Sequence, residues 1–128
     1  MATATRFVQS REVRELTFTL TYSDTTATKF ATLPAGARII AFIANVKTAL
    51  SGGTTTFDIG TSSTDSDNLV DGESGAATGN IDLGTHLADP GHETTTPTDI
   101  YALVGGSNTA GEIDVTILFS LEKGTKLN

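Results

Sequence analysis

The chain contains no cysteine and no tryptophan, and only one methionine and three prolines among its 128 residues. Without cysteine there are no disulfides and no thiolate metal sites. Such a chain is compatible with synthesis in the cytosol. No apolar run approaches the ~20 residues that cross a bilayer as a helix. The first ten residues, MATATRFVQS, hold no apolar h-region, so neither a membrane span nor a secretory signal is expected. Basic residues are missing from the middle: between Thr48 and Glu122 there is no Lys or Arg, while twelve Asp and Glu fall there. A body this acidic repels phosphate backbones, so nucleic acid is not an expected partner.

What the chain has in excess is threonine, 24 residues, together with 13 glycines. β-Branched side chains lose rotamer freedom in helices and fit the pleated surface of a sheet. Apolar residues make up 38% of the chain, enough for one domain of this length to bury a core. The composition predicts a single all-β domain.

The pattern of residues agrees. Residues 15–22 alternate Leu16, Phe18, Leu20 and Tyr22 with Thr17, Thr19 and Thr21, the period of a half-buried strand. A turn at Asp24-Thr25-Thr26 leads to a short strand at 28–32, and Leu33-Pro34-Ala35-Gly36 turns the chain with Pro at its second position. Residues 37–50 fit two periods: Ile40, Phe42, Ala44 and Val46 alternate, whereas Ile39, Phe42, Ile43, Val46 and Leu50 fit a helix face. The Pro-Ala-Gly turn and the strand-rich surroundings favour a strand. Further strands are expected at 54–59, 80–84, 99–104 and 112–121. The last carries Ile113, Val115, Ile117, Phe119 and Leu121 on one face, with Leu118 interrupting the polar one. Seven or eight short strands with turn-rich spacers indicate a β-sandwich, jelly-roll-like in topology. Residues 1–13 read as an extended N-terminal arm and 14–128 as the β-sandwich domain.

Candidate chemistry is sparse. His86 and His92 are the sole imidazoles, both in a Gly/Pro-containing loop, and no Gly-x-Ser-x-Gly elbow accompanies them, so no catalytic triad is expected. Gly52-Gly53 and Gly105-Gly106 lack the Lys-Ser/Thr that a phosphate loop needs. His86, Asp89, His92 and Glu93 fall within eight residues, yet match no tight metal-ligand spacing. Asp65, Asp67, Asn68, Asp71 and Glu73 offer oxygens, but Val70 occupies the position where a calcium loop requires Gly. No metal, no cofactor, no small-molecule substrate and no enzymatic activity are expected. The arm, in contrast, combines charge with apolar anchors: Arg6, Phe7, Val8, Arg11 and Arg14. An extended segment of that kind can add a strand to a neighbour's edge.

Three short stretches carry a family likeness: Leu33-Pro34-Ala35-Gly36-Ala37-Arg38-Ile39-Ile40, then Thr56-Phe57-Asp58-Ile59-Gly60-Thr61, then Asn68-Leu69-Val70-Asp71-Gly72. Over roughly residues 30–75, and loosely in the final strand, the chain resembles small structural proteins of tailed bacteriophages, most of all head decoration (cement) proteins. That resemblance implies a trimeric β-sandwich on the head exterior of the virion, made in the host cytoplasm, with the major capsid protein as partner. The implied mechanism is attachment to the assembled lattice, which stabilises that state by mass action. Arg6, Phe7, Val8, Arg11 and Arg14 are then the expected capsid-binding residues. The competing expectation is a tail- or fibre-associated glycan-binding module, for which the chain offers only Tyr22 and Tyr101 besides its phenylalanines.

Overall fold

A computed structural model describes residues 11–83 and 96–122. Eight strands form two four-stranded antiparallel sheets: β1 (Arg11–Thr21), β2 (Thr28–Leu33), β3 (Arg38–Ser51), β4 (Thr56–Gly60), β5 (Val70–Ser74), β6 (Gly79–Asp82), β7 (Thr98–Val104) and β8 (Ala110–Glu122). One sheet has the order β1-β8-β3-β6 and the other β2-β7-β4-β5. First pairs with last, second with seventh, third with sixth and fourth with fifth, the nested pairing of a jelly-roll-like winding. No helix occurs among the described residues.

The core lies between the sheets because both inner faces alternate. Ile113, Val115, Ile117 and Phe119 of β8 face inward, as do Phe42, Ala44 and Val46 of β3, and all are buried. Opposite them stand Phe57 and Ile59 of β4 with Ile100, Ala102 and Val104 of β7. Removing each large apolar side chain from water stabilises the fold by roughly 1.5–3 kcal/mol. At the β1–β2 side Phe18 stacks on Phe30, with ring centroids 4.9 Å apart.

Residues 37–50 are the strand expected, and β3, with 14 residues, is the longest strand among the described residues. Its ladder with β8 shifts between Ile39 and Ala41: Ile39 opposes Phe119 while Phe42 opposes Ile117, so one extra residue bulges out. The bulge reverses the alternation, and Ile40 faces outward, not with Phe42 in the core.

Other expectations are corrected in detail. β1 is described from Arg11, and within it Arg11, Glu12 and Val13 pair with Glu122, Leu121 and Ser120 of β8. Val70–Ser74 forms a strand, β5, that was not among those expected. The turn before β3 lies one residue later than expected: Pro34 supplies the accepting carbonyl, bonded by the Ala37 N–H at 3.2 Å, and Gly36 takes the φ of +86° that a type II turn demands.

Candidate interaction surface

Of the residues expected to touch a partner, Arg6, Phe7 and Val8 lie outside the described residues. Arg11 and Arg14 are both in β1, where their backbones oppose Glu122 and Phe119. Arg14 is half-exposed and held on its own strand, its Nη2 2.9 Å from Glu12 Oε1. The group His86, Asp89, His92 and Glu93 also lies outside the described residues.

The segregation of charge along the sequence does not persist in space. β8 comes from the acidic tract but lies between β1 and β3, so it delivers carboxylates to the basic strands. Lys47 Nζ sits 3.1 Å from Glu112 Oε2 and 3.4 Å from Asp114 Oδ2. Hydrogen bonding to Glu112, then to Asp114, raises the Lys47 pKa above its ordinary 10.5. Lys29 approaches Asp99 at 3.9 Å across the β2–β7 pair. The exposure of these pairs limits each to a small contribution to stability.

The Asp-rich stretch is an ordered connection between β4 and β5. Asn68 Oδ1 accepts from the Thr61 N–H at 3.0 Å, and its Nδ2 donates to Thr61 Oγ1 at 2.9 Å. The Asp65 carbonyl accepts from the same Thr61 N–H at 3.2 Å. Asp71 is exposed and Glu73 half-buried, both in β5. Among the described residues, no three His, Asp or Glu side chains are grouped so as to hold a metal ion.

Asp58, in β4, accepts the Gly72 N–H at 2.6 Å. Partial burial raises its pKa above 3.8, against the lowering effect of that bond, and the charges of Asp71 and Asp67 raise it further. A carboxyl raised in this way binds its proton more tightly folded than unfolded. Its contribution to stability is therefore complete below pH 3.8 and lost as pH rises through the folded-state value. Asp58→Asn keeps an oxygen for Gly72 and removes the charge. It is expected to raise stability at neutral pH by about 0.3 kcal/mol, exposure screening the rest. The slope of melting temperature against pH just above 3.8 is expected to flatten, as thermal melts at stepped pH will show.

The outer face of the β1-β8-β3-β6 sheet carries an apolar corner that the alternation of residues did not reveal. Val13 is 66% exposed, Ile40 49% and Ile43 36%. Half-buried Leu118 stands between them, opposite Glu15 on one side and Ala41 on the other. Val13 was hidden within the expected arm, and Ile40 by the bulge. Polar residues border it, with Ser120 opposite Val13, Glu15 opposite Leu118 and Thr116 opposite Ile43; Thr116 also pairs with the Thr17 hydroxyl at 3.1 Å. Leu118 breaking the polar row of β8 was the one signal of this corner in the sequence.

No protein-family model matches the sequence, and no curated protein matches it. Solved structures do resemble it. A chain of the capsid of Ralstonia phage GP4 superposes with a TM-score of 0.61 at 18% identity, covering 98% of this chain and 92% of that one. A chain of the cyanophage Pam1 capsid asymmetric unit gives 0.58 at 16%, covering 94% and 91%. A chain of the acidic stable capsid structure of Helicobacter pylori bacteriophage KHP30 gives 0.57 at 15%, covering 89% and 95%. At such identities the likeness is one of fold, and it spans nearly the whole of each chain: this eight-stranded sandwich fold also occurs in phage capsid structures.

Proposed function

We propose that the chain is a non-enzymatic structural protein of a phage virion, a head decoration protein that binds the major capsid lattice from outside as a trimer and stabilises it. The observation that carries this reading is the end-to-end fold likeness to chains of three phage capsids, each covered over nine-tenths of its length. The residue stretches around Leu33-Pro34-Ala35-Gly36 and Asn68-Leu69-Val70-Asp71-Gly72 support it independently. The first becomes the turn into β3 and the second the entry to β5.

Physically, a small rigid sandwich suits the task. Several weak contacts made at once by a multivalent body give durable attachment without any single strong site. The lattice contact is assigned to Arg6, Phe7 and Val8 of the arm, with Arg11 and Arg14 at the start of β1.

Deletion must stop at residue 10, because removing 1–13 also strips three residue pairs from the β1–β8 ladder. The shortened chain is expected to melt within about 2 °C of the full one, since the β1–β8 ladder stays whole. It is also expected to lose most binding to undecorated heads, measured by co-sedimentation and imaging. Binding that survives the deletion overturns the arm assignment. Labelling of tails instead of heads overturns the decoration reading and favours a glycan-binding tail module.

A further inference from the structure

The two ends of the sandwich differ in chemistry. The described chain breaks off at Arg11, Leu83, Thr96 and Glu122, all at the end that also carries the acidic connection 61–69. At the other end it is described throughout: residues 22–27, 52–55, 75–78 and 105–109 join β1 to β2, β3 to β4, β5 to β6 and β7 to β8. In a chain of net charge −7 these four connections hold no Lys, Arg, His or Glu, and one Asp. That residue, Asp24, is engaged in its own turn, where Oδ2 accepts from the Thr21 N–H at 2.8 Å and from Thr21 Oγ1 at 3.2 Å. The rest is Gly, Ala, Ser, Thr and Asn beside Tyr22. Loops rich in Tyr, Ser, Gly and Asn on a rigid sandwich have the composition of adaptable recognition surfaces.

Main-chain bonds stitch the four connections together. The Tyr22 N–H donates to the Gly111 carbonyl at 3.1 Å and the Val104 N–H to the Asp24 carbonyl at 2.8 Å, which ties the first to the strands flanking the last. The Thr54 N–H reaches the Gly106 carbonyl at 2.9 Å, and Asn108 bonds Gly53 and Thr54 beside it. Gly75 accepts from the Leu50 N–H and donates to the Thr55 carbonyl, both at 2.8 Å. A surface fixed in this way loses little freedom on binding. Tyr22 stands at its margin, 42% exposed. It keeps the inward phase of Phe18 and Leu20 one step past the end of β1, where the core no longer covers it.

We propose that this end of the sandwich binds a neutral saccharide, with one sugar face on the Tyr22 ring and the sugar hydroxyls on exposed Ser and Thr side chains and glycine main chain. The ligand class follows from what the four connections offer. They hold no cation for a phosphate, sulfate or carboxylate. Their one carboxylate is engaged, and Tyr22 is their one exposed large apolar residue, so neither a metal ion nor an apolar helix fits. What they present is the hydroxyls of Thr25, Thr54 and Ser107, all exposed, and one aromatic face. Arg11 and Arg14 lie at the start of β1, at the opposite end, so a body attached there presents this end outward. Saccharide binding is separate from the lattice contact and is measured without heads.

The probe is an array of neutral hexose and N-acetylhexosamine oligosaccharides printed beside their sialylated and sulfated counterparts. The full chain is expected to bind neutral members and to leave the anionic ones. Titrating a bound oligosaccharide into isotope-labelled protein is expected to shift the amides of Thr25, Gly53, Gly106 and Ser107 and to spare those of 61–69. Gly106 has open space where a Cβ would stand, so Gly106→Glu obstructs the surface without disturbing the fold. Gly106→Glu and Tyr22→Ala are each expected to weaken binding several-fold at an unchanged melting temperature, whereas Tyr22→Phe keeps the ring and the binding. The proposal is overturned by a chain that binds no neutral oligosaccharide, by binding confined to sialylated or sulfated ones, by shifts centred away from this end, or by Gly106→Glu and Tyr22→Ala chains that bind as the parent does. It is equally overturned by a Gly106→Glu chain that loses heads and keeps sugars, which marks this end as a protein contact.

Discussion

Phe42→Ala is expected to lower the unfolding free energy by about 3–5 kcal/mol, the range for truncating a buried aromatic, while Ile40→Ala on the same strand changes it by only about 0.5 kcal/mol. Phe42 is fully buried, whereas Ile40 is 49% exposed. Its ring is inserted between the sheets with Ile117 directly across the ladder. Truncation leaves a void whose lining loses its contacts, and a close-packed sandwich relaxes only partly. Ile40 sits on the bulge, on the opposite face, and loses little on truncation. For a domain of this size the Phe42 loss corresponds to a melting point lower by on the order of 15 °C. Paired thermal melts check both values, and equal losses at the two positions disprove the bulge.

Nearly as large a loss is expected at the opposite end of β3, where two connections interlock. Asn108 is buried in the turn between β7 and β8. Its Oδ1 accepts from the Gly53 N–H at 3.2 Å, and its Nδ2 donates to the carbonyls of Thr54 at 2.7 Å and Gly105 at 3.0 Å. Main-chain bonds run beside it, from the Thr54 N–H to the Gly106 carbonyl at 2.9 Å and from the Gly105 N–H to the Thr56 carbonyl at 2.8 Å. Asn108→Ala removes three bonds from a partly buried site and is expected to cost about 3 kcal/mol. Gly53→Ala is expected to cost about 2–3 kcal/mol for a different reason: its Cβ would overlap the Gly106 carbonyl oxygen and the backbone of Ser107 and Asn108. Both changes undo one docking, so the double variant is expected to lose less than the two added together. Denaturant unfolding of the three variants measures that shortfall.

These two regions show how differently parts of the chain could be read. The face of β8 was legible because Ile113, Val115, Ile117, Phe119 and Leu121 alternate without interruption, and all five are buried. β3 was legible as a strand but not in its phase. An alternation of Ile40, Phe42, Ala44 and Val46 carries no mark of the extra residue, since the bulge answers to the partner strand. β5 was missed because Val70-Asp71-Gly72-Glu73-Ser74 has only one apolar residue facing the core, Val70. It becomes a strand through pairing with β4, where a ladder compensates for weak propensity. The two Gly-Gly pairs could be excluded as phosphate sites from sequence. Their packing role at Gly53 and Gly105 rests on a close approach between connections far apart in sequence, Gly53 and Asn108 being 55 residues apart.

The candidate surface divides in the same way. Arg6, Phe7 and Val8 stood out because charge and apolar groups adjoin in a segment with no core-facing period. Arg14 drew attention for its charge, and the fold pairs it with Glu12. Val13, Ile40 and Ile43 escaped attention because exposure is a property of the sheet and not of a residue's neighbours in sequence.

By itself the sequence determined that this is a cysteine-free, acidic, all-β domain with an apolar face on each long strand and a basic, partly apolar leading segment. Those properties follow from side-chain chemistry and local period, which need no knowledge of distant partners. Tertiary structure alone decided that the basic and acidic tracts interleave, that Ile40 leaves the core, that β1 pairs with β8 without a register shift, and that Asn108 locks two connections together. Each of these depends on which strand lies beside which, and that is settled by the nested pairing of strands far apart in the chain.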